Sequence, residues 1–312
     1  MKKKSKKSGL AIALGNFDGV HIGHQIILKK LIASAKKNGL MSCVYTFDPH
    51  PAKILSPKTA PLLLQTREQK LESLKKMGLD KVVVEKFNAA FSRRTPEAFF
   101  EKILLKKLRA TSLWVGYDFT FGVKRSGNVA LLKKFCEKYG VALHVTDAQF
   151  AKQTLISSSQ IRNLVSQGKV KMAAALLGRP YALRGLVKKG YGIGGKQLGI
   201  HTANLKWENE LLPKIGIYIT RTKITSDERR ATKSWPSATS VGFNPTFPGK
   251  GFSVETHLIG FEGNLVGKKI EVEFLEWMRE EFTFPNAETL ATQIKKDIAE
   301  ALKYNETLGH HR

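Results

Sequence analysis

LAIALGNFDGVHIGH, residues 10–24, reads as a strand, a glycine loop and the start of a helix. Leu10 to Leu14 form an unbroken apolar run, which suits a strand buried on both faces of a parallel sheet. Gly15 ends the run, and Asn16, Phe17, Asp18 and Gly19 make a turn. A helical pattern then runs from Gln25 through Ile26, Ile27, Leu31 and Ile32 to a cap at Gly39. His21 and His24 therefore stand at a helix mouth, where unpaired N–H groups and the positive dipole end favour an anion. Gly23 between them leaves room for a phosphate. Two surface histidines on a strand-loop-helix unit would account for H-x-G-H alone; the full G-x-F-D-G-x-H-x-G-H string is much more specific.

The alternation continues. Strands are expected at Met41 to Phe47, Asp80 to Phe87, Ser112 to Gly116 and Val141 to Thr146. Helices are expected at Glu68 to Met77, at Pro96 to Leu108 with Thr95 as N-cap, and at Val129 to Tyr139. This is the α/β pattern of a doubly wound parallel sheet. It contains no G-x-G-x-x-G and no Walker lysine, so a nucleotide site rests on the histidine loop. The second strand runs into Asp48, Pro49, His50 and Pro51, a stiff turn that would fix Phe47 and His50 at the sheet's carboxyl edge. A rigid turn alone would explain it equally well. After the fourth strand, Asp118 stands at a carboxyl end, Phe119 and Phe121 could flank a flat ring system, and Lys124 and Arg125 could meet phosphate. The same phenylalanines would also serve as a core plug. In LISSSQIR, residues 155–162, the hydroxyls of Ser157 and Ser158 and the fork of Arg162 suit a triphosphate at a helix start. A helix from Ile161 to Leu177 ends at Gly178, Arg179 and Pro180, where a domain boundary is expected.

Beyond it the sequence becomes β-rich. Alternating segments run from Tyr181 to Lys189, Gly216 to Ile224, Arg230 to Gly242, Ser253 to Phe261 and Lys269 to Met278. One helix follows, from Asn286 as N-cap to Tyr304, with Leu290, Ile294, Ile298 and Leu302 on one face. Antiparallel strands closed by one helix imply a small β-barrel. The fold class is thus α/β plus β.

At 312 residues and 42% hydrophobic content, the chain can build two cores. No apolar run reaches membrane-spanning length, and MKKKSKKSG, residues 1–9, is a basic tail without a signal h-region. Cys43 and Cys136 show no C-x-x-C spacing, which fits a reducing cytoplasm without disulfide or zinc. The net charge of +26 has two readings, nucleic-acid binding or lysine used for solubility. The lysines are scattered over helix faces rather than gathered beside aromatics, which favours solubility and no specific nucleic-acid partner.

The histidine string resembles the ATP-binding signature of the nucleotidyltransferase superfamily, in the form carried by bifunctional bacterial riboflavin kinase/FAD synthetases. F-D-P-H-P, V-G-x-D-F-x-F-G and the serine run resemble further motifs of that family, with Ser159 in place of the usual threonine. The resemblance implies a Rossmann-like FMN adenylyltransferase domain over residues 10–180 and a riboflavin kinase barrel over 181–312. It places ATP at Gly15, Phe17, Asp18, Gly19, His21, His24, Ser157, Ser158 and Arg162, with both histidines catalytic. It places the flavin of that site at Phe47, His50, Asp118, Phe119, Phe121 and Arg125. In the second half, GYGIGGKQLGIHTAN, residues 190–204, resembles the kinase's glycine loop. That likeness implies ATP and Mg²⁺ at Gly192, Gly194, Gly195, Thr202 and Asn204, with Thr202 and Asn204 on the metal. Asn244, Pro245 and Thr246 resemble a second kinase loop. Glu255 falls on the catalytic glutamate, and Arg279, Glu281 and Phe284 resemble the segment near the flavin. The implied substrates are ATP, riboflavin and FMN. His201 replaces a proline of the family, Gly195 stands where arginine is common, and Asn264 and Val266 replace aspartate and tyrosine. Two alternatives stay open, FAD synthesis alone with an impaired barrel, or a basic nucleic-acid-binding protein on this scaffold. The sequence is equally compatible with a monomer and a homo-oligomer.

Overall fold

The computed structural model of the chain describes residues 9–151, 153–189, 201–225, 232–243 and 251–309. It divides into two compact units, Met1–Ser158 and Ser159–Arg312.

In the first unit, β1 (Leu10–Leu14), β2 (Met41–Asp48), β3 (Lys81–Lys86), β4 (Ala110–Gly116) and β5 (Ala142–Thr146) make a parallel sheet in the order β3-β2-β1-β4-β5. The apolar run occupies the centre, and all of β1 is buried. Strand order reverses between β1 and β4, so a crevice for ligand opens at their carboxyl ends, and the loops after both strands start there. The helices are α1 (Ile22–Lys37), α2 (Pro51–Leu55), α3 (Arg67–Lys76), α4 (Ala89–Ser92), α5 (Pro96–Ala98) and α6 (Val129–Tyr139). Leu28, Leu31 and Leu74 of α1 and α3 pack on Ala11, Ala13 and Val44. On the opposite face, Phe100, Leu104, Leu132 and Cys136 pack on Ile12, Leu14, Cys43 and Tyr45.

Two helices differ from expectation. The first begins at Ile22 rather than Gln25, because His21 itself is the N-cap. The helix capped by Thr95 passes from α5 into a π-helix over Phe99–Lys107. This wider winding turns Phe99, Phe100, Ile103 and Leu104 into the same core. A hairpin that the sequence reading passed over, β6 (Phe150–Ala151) with β7 (Thr154–Leu155), follows β5.

At the start of the second unit the expected single helix is two, α7 (Ser158–Ser166) and α8 (Val170–Leu177). Gly168 breaks it with a φ of +76°, and a Cβ there would lie 3.2 Å from the Trp277 ring. The barrel comprises β8 (Tyr181–Lys188), β9 (Ala203–Trp207), β10 (Gly216–Thr225), β11 (Thr232–Gly242), β12 (Ser253–Leu258) and β13 (Lys269–Arg279). They close in the antiparallel order β10-β11-β12-β9-β8-β13. Because α8 packs against β13 and β8, the boundary expected at Gly178 to Pro180 lies inside this second unit. Part of the barrel interior is apolar, with Leu183, Tyr218, Val272 and Phe274. Another part is a closed set of hydroxyls from Thr220, Thr222, Ser237, Thr239 and Thr256, fully buried and bonded to one another. Mutual pairing removes the cost of burying them.

The terminal helix, α9 (Ala287–Gly309), starts as expected at Asn286, whose Oδ1 accepts the Thr289 N–H at 2.9 Å. Its buried face is rotated from the expected stripe: Asp297 and Ala301 are buried while Leu302 is exposed. Arg279 causes this, since its Nε and Nη2 grip Asp297 at 3.2 and 2.6 Å, and Ala301 packs beside Ile219 and Leu275.

Candidate active sites

The loop after β1 is held from several sides. Gly15 N–H donates to the Tyr45 carbonyl, and the Thr46 hydroxyl donates to Asn16 O at 3.0 Å. The buried Asp18 carboxylate accepts the Leu64 N–H at 3.1 Å, and its carbonyl accepts the Ser158 hydroxyl at 2.9 Å. Phe17 and Val20 sit at φ of 50° and 40°, a left-handed conformation that costs a β-branched residue most. Gly19, at φ 81°, takes the same region without penalty. The product of this bracing is the histidine pair. His21 Nδ1 accepts the His24 N–H at 3.4 Å, so this nitrogen is the acceptor that caps the helix start. The rings stack at 3.6 Å, and Phe17 meets His24 edge-on at 5.1 Å. Gly23 is tight against the pair, for a Cβ there would lie 3.2 Å from the His21 ring.

Burial, and after it the neighbouring His21, holds His24 well below the usual imidazole pKa. His24 is therefore neutral at pH 7, and its Nδ1 is buried without a hydrogen-bond partner among the described residues. An orphaned polar atom in the first turn of a helix fits an anionic ligand that would complete it. The shift also has a consequence for stability. Above about pH 6.5, the unperturbed imidazole value, folded and unfolded chains both hold His24 neutral. Below it the unfolded chain takes up a proton that the folded chain refuses, so stability falls as pH falls. The drop in Tm between about pH 7.5 and pH 5.5 is expected to be smaller in His24→Gln than in the unsubstituted protein; equal drops would refute it.

Around the crevice, Phe47 packs edge-on to Phe87 and Phe91 with centroids 5.5 and 5.8 Å apart. In the loop after β4, Phe121 is buried in the core, and the half-buried Phe119 stacks on it at 5.6 Å. Phe121 is thus a plug. Gly127 is required beneath it, since a Cβ would come within 2.8 Å of its ring. Asp118 is exposed, and Arg125 donates to the Thr120 hydroxyl at 3.0 Å. His50 caps α2 by accepting the Ala52 N–H at 3.2 Å. Ser157 and Ser158 end the first unit; Arg162 lies on α7 in the second, where it donates to the Ser159 hydroxyl at 3.4 Å. Sequence reading missed Lys70, whose ammonium donates to Phe47 O at 3.1 Å.

In the barrel, register builds the second site. Glu255 pairs with Asn204 of β9 on one side and Ser240 of β11 on the other. Directly opposed residues in an antiparallel pair share a face, so these three side chains form one row. Glu255 Oε2 accepts the Thr202 hydroxyl and Oε1 the Ser253 hydroxyl, both at 3.2 Å. His257 Nδ1 lies 2.8 Å from the His201 carbonyl, which braces the segment where the family carries proline. Glu281 accepts the Ser240 hydroxyl and the Phe243 N–H, each at 3.0 Å, and a Cβ on Gly242 would collide with it at 2.1 Å. Arg279 reaches Asp297 and the Glu280 carbonyl and lies over the Phe282 and Phe284 rings. Arg279 and Glu281 of the expected flavin segment thus brace the barrel's rim. Ser240 was missed because nothing in its own stretch marks it; only strand pairing brings it to Glu255. Gly192, Gly194, Gly195, Asn244, Pro245 and Thr246 lie outside the described residues.

Comparison with known proteins yields two family matches, FAD synthetase over residues 3–160 and riboflavin kinase over residues 177–305. Curated relatives named bifunctional riboflavin kinase/FMN adenylyltransferase match along nearly the whole chain. One from Buchnera aphidicola subsp. Schizaphis graminum is 34% identical, covering 96% of each chain. One from Haemophilus influenzae is 33% identical, covering 94% of this chain and 93% of its own. A solved structure from Streptococcus pneumoniae, titled a macrolide-efflux protein, shares the fold with a TM-score of 0.81 and 27% identity, covering 95% and 96% of the two chains. No helix among the described residues is long and apolar enough to cross a membrane.

Proposed function

The chain belongs to the bifunctional riboflavin kinase/FMN adenylyltransferases, and on that premise we propose which of its residues hold each substrate and which take part in each transfer. It is a transferase that phosphorylates riboflavin to FMN and adenylylates FMN to FAD. The stacked His21–His24 pair at the start of α1 carries the assignment of the first site. There an FMN phosphate oxygen attacks the α-phosphorus of ATP, and pyrophosphate leaves. His21 and His24, with the α1 N–H groups, Ser157, Ser158 and Arg162, stabilise charge growing on the phosphates. Gly15, Phe17 and Gly19 shape the loop around the nucleotide. Asp18 braces that loop through Leu64 and Ser158. Phe47 and Phe119 flank the flavin ring, with His50, Asp118 and Arg125 at its polar edges and Phe121 as the floor.

In the barrel, Glu255 accepts the proton from riboflavin's 5′-hydroxyl as that oxygen attacks the γ-phosphorus of ATP and ADP leaves. The Thr202 hydroxyl and the Asn204 amide oxygen, set beside the Glu255 carboxylate, would suit Mg²⁺ shared with nucleotide phosphates. When bound, that ion neutralises phosphate charge. Gly192, Gly194 and Gly195 would cradle the phosphates, and Arg279 and Glu281 fix the rim beside the flavin. We place the protein in the cytoplasm, where its two buried thiols, both pushed up to about 11 by burial, stay reduced. Neither the synthesis-only nor the nucleic-acid reading gains support from any contact described above.

The test is a product assay with ATP, Mg²⁺ and either riboflavin or FMN, followed by chromatography of the flavins. FAD from both substrates is expected. FAD from FMN alone would mean that the His201 segment has cost the kinase its activity, and no FAD from either would sink the whole assignment.

A further inference from the structure

Lys70 lies on α3 and belongs to none of the motifs quoted above. Its neighbours Lys75 and Lys76 are exposed, as solubilising lysines are, but Lys70 is half-buried. Its Nζ donates to the Phe47 carbonyl at 3.1 Å, at the end of β2 and the start of the proline turn. The Asp18–Val20 turn of the histidine loop packs against α3, the helix that carries Lys70, and the carboxylates of Asp48 and Asp18 add attraction for its charge. Arg67, one turn earlier on α3, opposes them and pairs with Asp48 at 3.2 Å. Burying an ammonium is unfavourable unless a specific partner offsets it, and here that partner is the Phe47 carbonyl.

Asp18 is the junction on one side. Its carboxylate is tied to Leu64 and its carbonyl to Ser158, three residues before His21. On the other side, Phe47 and Asp48 lead into the turn that ends at His50, the cap of α2. Accordingly, we propose that Lys70 is a positioning residue that ties the ATP loop after β1 to the flavin turn after β2. The tie sets the FMN phosphate in line with the α-phosphorus of ATP. The idea rests on the adenylyltransferase reading of this crevice and adds to it a residue that touches neither substrate. A group of this kind acts on geometry, and a misplacement of about 1 Å costs roughly a hundredfold in rate.

Lys70→Met keeps the stem and removes the charge, while Lys70→Arg restores a cation with donors. Both are assayed as full chain for FMN to FAD, for riboflavin to FMN as a measure of enzyme amount, and by thermal unfolding for the fold of the substituted unit. Lys70→Met is expected to lower kcat for FAD formation about a hundredfold, with KM for FMN within about threefold and riboflavin phosphorylation unchanged. Lys70→Arg is expected to recover at least about tenfold of that loss. Three results would each overturn the proposal: FAD formation in Lys70→Met within about threefold of the parent, a rise in KM at constant kcat, or no recovery in Lys70→Arg. A parent protein that makes no FAD from FMN would instead overturn the reading of the site itself.

Discussion

Glu255→Gln is expected to lower riboflavin phosphorylation by a factor of about 10² to 10⁴, the usual worth of a positioned general base, while FMN is still converted to FAD. The substitution is nearly isosteric. A glutamine carbonyl can still accept the Thr202 or the Ser253 hydroxyl, so the row of side chains across β9, β12 and β11 stays in place. What is lost is the capacity to take a proton from the attacking hydroxyl. The adenylyltransferase unit supplies an internal standard of protein amount, because one preparation fed FMN reports that unit and fed riboflavin reports the kinase, while thermal unfolding checks the barrel itself. Phosphorylation within about threefold of the parent would remove Glu255 from the chemistry and leave it as a brace for Thr202.

How much of this was legible before the structure depends on whether the signal was local. The apolar run of β1, the capped α6 from Val129 to Tyr139 and the Thr95 cap were readable because each is written in neighbouring residues. Strand β9 was not. It has five residues, Asn204 and Lys206 interrupt its apolar pattern, and a glycine-rich segment precedes it. Yet it closes the barrel and carries Asn204 to Glu255. The Arg279 grip on Asp297 and the Lys70 hydrogen bond to the Phe47 carbonyl join residues apart in sequence, and no periodicity announces them. The terminal helix shows the same limit. Its leucine and isoleucine spacing gave the right helix, but one buried ion pair decided which side faces the barrel.

The sites divide along the same line. The histidine string was recognisable because an anion-binding helix start needs its residues at fixed local spacing. The roles within it were less legible. Asp18 reads as a ligand in the motif, but its carboxylate is buried against Leu64 and its contribution passes through the backbone. His21 likewise has two duties, as the cap of α1 and as one face of the imidazole pair.

That double duty shapes the prediction for adenylyl transfer. His21→Asn retains a short acceptor at the N-cap, which satisfies the His24 N–H much as Nδ1 does, but removes the imidazole ring stacked on His24. His24→Gln retains polarity in the first turn and removes the stacked ring. Each substitution is expected to reduce FAD formation from FMN by a factor of about 10² to 10³, the loss seen when one preorganised donor to developing charge is removed. Riboflavin phosphorylation is expected to be unchanged in both. Because the rings touch and share one charge distribution, the double variant is expected to lose far less than the product of the single losses. Full multiplicative loss would mean that the two histidines act on separate phosphates independently. A His21→Asn variant that keeps wild-type FAD synthesis would mean that the cap alone matters, and that the helix start, without the imidazole, stabilises the transferring phosphate.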